Sequence, residues 1–88
     1  MNMIAQQIFE NAKQDNDDLA ILIKNETNLR LKLAWKYHQF INWRIMSCVS
    51  QGKYIEAYAY ATEMKRSIEA TQVYIASLAS EATDYSFK

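Results

Sequence analysis

Proline is absent from this chain and glycine occurs once, at Gly52. These two residues make most tight reversals and helix stops, so a fold of many short strands is excluded and long helices are favoured. A lone cysteine, Cys48, rules out an internal disulfide framework and suits a reducing compartment, so a cytoplasmic location is expected. One glycine cannot build a phosphate-cradling loop. Ten basic side chains balance ten acidic ones, which excludes wholesale electrostatic attraction to nucleic acid or an acidic membrane. Residues 1–16 lack both a basic start and an unbroken apolar run, so neither a signal peptide nor a membrane span is expected. Asn25-Glu26-Thr27 matches a glycosylation acceptor, a triplet that means little outside a secretory context.

Catalytic groups are equally scarce. Nucleophilic catalysis needs a nucleophile, a base and an orienting group within hydrogen-bond reach. His38 is the only histidine, and on one continuous helix it lies about 15 Å from Cys48 along the axis. His38 therefore reads as a half-buried histidine bonded to a neighbour. Helical metal sites want a glutamate three residues before a histidine, and no such pair exists. Asp15, Asp17 and Asp18 lack the glycine and distal glutamate of a calcium loop, so capping explains them better. No enzyme activity, no cofactor and no metal are expected.

What is present is hydrophobic periodicity. The chain has 88 residues, half of them hydrophobic, enough for one domain spanning 1–88 with a modest core. A chain of this size buries about 60–65% of its unfolded surface, which leaves little room for a catalytic cleft. Ile4, Ala5, Ile8, Phe9 and Ala12 recur at helical spacing and predict a short helix over 2–13. The acidic run that follows predicts a turn and then a capped helix over 17–50. In that helix Leu22, Leu29, Leu33, Tyr37 and Phe40 form one apolar stripe, and Ile23, Ala34, Ile41, Ile45 and Cys48 form a second beside it. Residues 24–28 are its weakest stretch, because Asn and Thr side chains compete for backbone hydrogen bonds, and a break there is the alternative.

Gly52 marks a chain reversal. Beyond it Ala57, Ala61, Met64, Ile68, Thr71, Ile75, Leu78 and Ala82 alternate spacings of four and three, predicting a helix over 53–83 with a coiled-coil type of seam. The predicted fold class is all-α: an antiparallel hairpin of two long helices with a short N-terminal helix, completed as a three-helix bundle or, by dimerisation, as a four-helix bundle. Gln51-Gly52-Lys53-Tyr54-Ile55-Glu56-Ala57 resembles the inter-helix turn of tetratricopeptide repeats and of microtubule-interacting-and-transport domains. The resemblance covers about twenty residues, lacks the closing proline of the repeat, and implies helix–turn–helix packing; no binding residue is carried over from it.

Residues 30–44 crowd two tryptophans, two other aromatics and four basic side chains together. At 100° per residue, Leu33, Tyr37 and Phe40 belong with the core stripe, while Lys32, Trp35, Lys36, Gln39, Trp43 and Met46 fall on the remaining, solvated arc. Large aromatics among Lys, Gln and Asn are the composition of a protein-interaction hot spot, so those six residues are the candidate partner-binding site. The competing expectation is that the first helix or a second copy covers Trp35 and Met46. Between Lys24 and Lys53 six cations face one acid, Glu26, and pairing with Glu56, Glu63 and Glu69 of the neighbouring helix is expected to absorb them.

The expected function is therefore binding to another protein, as an adaptor or a small inhibitor that occludes a larger partner. In size and lack of chemistry the chain is similar to the compact inhibitors that phages and mobile elements use. A self-assembling structural protein, including a homodimer, is the first alternative. A nucleic-acid binder using Lys32, Lys36, Arg44 and Lys53 with a stacking tryptophan is the second.

Overall fold

Three helices and no strand make up the computed structural model, which describes residues 3–86 and their side chains as far as residue 81. They are α1 (Met3–Asn25), α2 (Leu29–Ser50) and α3 (Tyr54–Ser86), so the fold is all-α. The expected start at residue 2 and the expected place of Ala82 in the seam lie outside the described residues or side chains.

The first helix is not short, and the turn expected between 13 and 17 does not form. α1 runs straight through Asp15-Asn16-Asp17-Asp18. With no proline or glycine to stop the helix, side-chain bonding decides the matter, and Asn16 turns inward. Its Nδ2 donates to the Gln39 carbonyl at 3.4 Å, and its Oδ1 accepts from Asn42 Nδ2 at 3.0 Å. Asp15 accepts from the same Asn42 amide at 2.7 Å, so a turn here would strand three polar groups.

The chain reverses instead at 26–28, which divides the expected 17–50 helix in two. Asn28, in an extended conformation (φ −78°, ψ 114°), caps α2 by accepting from the Leu31 backbone N–H at 3.1 Å. Glu26 Oε2 accepts from the backbone N–H groups of Thr27 and Asn28, both at 3.1 Å. Two polar side chains, Glu26 and Asn28, thus organise a reversal that a glycine or proline would otherwise have managed.

The second reversal follows the sequence reading. Gly52 adopts φ +73°, its N–H donates to the Val49 carbonyl at 3.1 Å, and the Lys53 N–H reaches back to Cys48 at 2.8 Å. This nested pair of bonds closes α2 and points α3 back along it.

Cross-helix bonds show the directions. Glu26 meets Trp35 and Asn16 meets Asn42, so α1 and α2 are antiparallel. Asn28 meets Tyr74, His38 meets Ser67 and Tyr37 meets Glu63, so α2 and α3 are antiparallel too. α2 is the middle element, because no Cα of α1 comes within 8 Å of one in α3 among the described residues. The core is a thin strip along α2, where Ile41, Ile45, Cys48 and Val49 meet Ala5 and Ala12 of α1 and Ala57 and Met64 of α3. With 33 residues against 22, α3 overhangs α2 past Tyr74 and draws the molecule out to 57 × 23 × 18 Å.

Candidate partner-binding surface

α2 carries apolar side chains around most of its circumference, but among the described residues only α1 and α3 pack against it. Its α3-facing side holds Ala34, Ile41 and Cys48, and its α1-facing side holds Trp35, Asn42, Met46 and Val49. The remaining side bears Leu29, Leu33, Lys36, Phe40, Trp43 and Ser47, spaced four, three, four, three and four residues apart. That spacing is a coiled-coil seam. It is turned to solvent: Leu29 is 70% exposed, Leu33 56%, Phe40 51% and Trp43 70%.

The expected division of α2 is therefore corrected on both faces. The stripe of Leu29, Leu33, Tyr37 and Phe40, expected to be core, is exposed. Much of the arc expected to be solvated is covered by α1. Trp35 is half-buried, stands edge-on to His38 with ring centres 5.6 Å apart, and donates from Nε1 to Glu26 Oε1 at 3.4 Å. Gln39 is half-buried and donates from Nε2 to the Asn16 carbonyl at 3.4 Å. Met46 packs against the core. The cause is the length of α1, which runs along the Trp35, Gln39 and Met46 side of this arc rather than crossing one end of it, and leaves Lys36 and Trp43 exposed.

Of the six expected site residues, Lys36, Gln39 and Trp43 still come together. With Phe40, Arg44 and Ser47 they line a shallow hollow of about 630 Å³ on the outer side of α2. Phe40, Arg44 and Ser47 join the surface only because of the folded arrangement, although the four-and-three spacing of Phe40 and Ser47 with Leu29, Leu33 and Trp43 was visible in the sequence. Lys32 is half-buried one turn nearer the α2 N-terminus.

The electrostatics of this face are one-sided. Arg44 lies over the Phe40 ring, 5.3 Å from its centre, and Arg30 lies 4.1 Å over Tyr74. The expected pairing of these cations with α3 carboxylates does not occur. Glu63 accepts the Tyr37 hydroxyl at 3.1 Å instead. That hydrogen bond, with burial and the carboxylate charge, raises the Tyr37 pKa above its ordinary 10.0, so the phenol remains a donor at neutral pH. Among the described residues Lys32, Lys36 and Arg44 form no ion pair.

A second apolar depression lies on the opposite side, between α1 and α3. It has a volume of about 620 Å³, with Ile8 and Asp15 on one wall, Tyr54 and Tyr58 on the other, and Ile45 and Val49 as its floor. The α3 seam is only half used: Ala57, Met64 and Thr71 are buried, while Ile68 and Ile75 remain exposed. Tyr60 packs against the core, whereas Tyr54 is exposed. Tyr74 faces α2, with its hydroxyl bonded to Asn28 at 3.1 Å.

Chemistry-bearing side chains remain apart. His38 is buried and its Nε2 lies 2.8 Å from Ser67 Oγ, while Cys48 is buried in the core strip. Burial lowers the His38 pKa below 6.5, an effect partly offset by the hydrogen bond to Ser67 and by Asp15. Among the described residues no three His, Cys, Asp or Glu side chains converge on a common point. No described helix is long and apolar enough to cross a membrane. No protein-family model matches this chain, and neither characterised proteins nor solved structures give a significant match to it.

Proposed function

We propose that this chain is a non-enzymatic protein-interaction module, an adaptor or a small inhibitor that occludes its target, and that it binds through the outer face of α2. The observation that carries this reading is the exposed seam of Leu29, Leu33, Lys36, Phe40 and Trp43. A helix apolar on all sides is ordinarily covered on all sides, and here one side has no cover. Trp43 and Phe40 supply rigid aromatic area, and Lys36, Gln39 and Arg44 form a polar rim around them, the composition of an interface centre. The six residues expected from sequence are thereby narrowed to Lys36, Gln39 and Trp43, with Lys32 at the edge and Trp35 and Met46 as internal supports of the α1–α2 packing.

The test compares wild type with the double variant Phe40→Ser, Trp43→Ser as bait for proteins from the native host. Both side chains are solvent-facing, so the variant should keep its helicity and melting temperature. A partner held by wild type should be lost by the variant. Equal recovery by both proteins would move the interface elsewhere.

A further inference from the structure

We propose that the occupant of the α2 seam is a single amphipathic helix whose apolar stripe is flanked by aspartate and glutamate; this deepens, and rests on, the partner-binding reading above. The shape of the surface selects a helix. In helix-on-helix packing each inserted side chain sits among four residues at positions i, i+3, i+4 and i+7. The hollow on α2 is made of two such holes in succession, Lys36-Gln39-Phe40-Trp43 and Phe40-Trp43-Arg44-Ser47. Leu29 and Leu33 continue the same track toward the α2 N-terminus, and the whole run from Leu29 to Ser47 measures about 27 Å. A strand or a loop would not place side chains at that rhythm.

The charge of the flanks selects acid. The positions beside the seam are Arg30, Tyr37 and Arg44 on one edge and Lys32, Gln39 and Met46 on the other. None is acidic. Glu63 of α3 is bonded to the Tyr37 hydroxyl at 3.1 Å. An incoming helix with acidic flanks would neutralise Lys32, Lys36 and Arg44, whereas a basic one would add repulsion at each.

The same charges disfavour a second copy of this chain. Parallel self-pairing sets Lys36 against Lys36, and the antiparallel register that sets Phe40 against Lys36 sets Lys32 against Arg44; the antiparallel register that sets Phe40 against Trp43 avoids these clashes but pairs Arg44 with Gln39 and Lys36 with Ser47, so it gives the cations no acidic partner. Nucleic acid is disfavoured by the seam itself, since Leu29 and Leu33 offer nothing to phosphate or to a stacked base.

The experiment uses the full chain and three synthetic peptides of about three heptads that share one leucine seam and differ only in flanking residues, which are Glu, Gln or Lys. Fluorescence anisotropy measures binding at about 50 mM and about 500 mM salt. The Glu-flanked peptide should bind about tenfold or more tighter than the Lys-flanked one, with the gap closing at high salt. Lys36→Glu with Arg44→Glu should invert the order, and Phe40→Ser with Trp43→Ser should abolish binding of all three. Circular dichroism confirms that each variant is folded. Equal affinity for the Glu and Lys peptides would overturn the acidic-helix proposal while leaving docking on α2 intact. If the folded wild type binds none of the peptides, both the proposal and the reading beneath it fail. A chain that doubles in mass with its seam protected would assign the surface to a second copy. Salt-steep binding of an oligonucleotide that displaces the Glu peptide would assign it to nucleic acid. Either result overturns the proposal.

Discussion

Asn42 of α2 donates its side-chain amide to Asp15 of α1 at 2.7 Å, at the level where α1 would have ended had the acidic run formed a turn. The same nitrogen also reaches Asn16, which is buried, so this polar cluster fixes the register of the two helices. Asn42→Ala should lower stability by about 1–3 kcal/mol, because it leaves the Asn16 oxygen buried without a donor. Asn16→Ala combined with Asn42→Ala should cost clearly less than the sum of the single changes. Urea denaturation of the four proteins measures this, and strict additivity would show that the two residues do not act together.

Gly52 gives a cleaner test, because an added Cβ would meet nothing within 4 Å. Any cost of Gly52→Ala comes from the backbone, which holds φ at +73°. About 1–2 kcal/mol of destabilisation is expected, with Gly52→Asn costing less. A neutral Gly52→Ala in thermal melts would mean that the turn relaxes to another geometry.

Burial makes His38 a pH-dependent element. Its folded pKa lies below the unfolded 6.5, so near and below that pH the unfolded chain binds more protons than the folded one. Stability is therefore full above about pH 6.5 and declines as the pH falls through that value toward the folded pKa. The melting temperature should drop between pH 7.5 and 5.5, and His38→Leu should flatten that part of the profile. An unchanged slope in the variant would locate the titrating group elsewhere.

The two tryptophans should report different environments. Trp43 is 70% exposed beside Lys36 and Arg44, whereas Trp35 is half-buried and bonded to Glu26. Iodide, an anion, should quench emission strongly in Trp35→Phe, where only Trp43 remains, and weakly in Trp43→Phe. Equal quenching would contradict the placement of α1 over Trp35.

Ile41, 1% exposed, sits where the α2 core strip meets α3. Ile41→Ala should cost about 2–5 kcal/mol in denaturant titrations, while Phe40→Ala one position away should cost far less. Comparable losses would mean that Phe40 is covered in the isolated chain.

Several features could be read from residue order. The helical run of α3, the reversal at Gly52 and the all-helical class all follow from local properties: spacing, one flexible backbone position, and the absence of breakers. The break at 26–28 was visible only as a weakness, since Asn28 becomes a cap through its bonds to Leu31 and Tyr74, and the second of these is a tertiary contact. The turn expected at 13–17 was misplaced for the matching reason. Asp15 and Asn16 resemble capping residues locally, and only the approach of Asn42 from another helix gives them partners inside a continuous one.

Period and composition alone determined that this chain is helical, that it folds back after Ser50, and that α2 has more apolar circumference than one neighbour can cover. Which part of that circumference stays uncovered was decided by tertiary structure. Two stripes of similar hydrophobicity competed for burial, and helical periodicity cannot rank them, because it gives the angle between side chains but not the position of the neighbouring helices. α1 took the side of Trp35 and Met46, α3 took the side of Ile41, and Trp43 and Phe40 were left facing water.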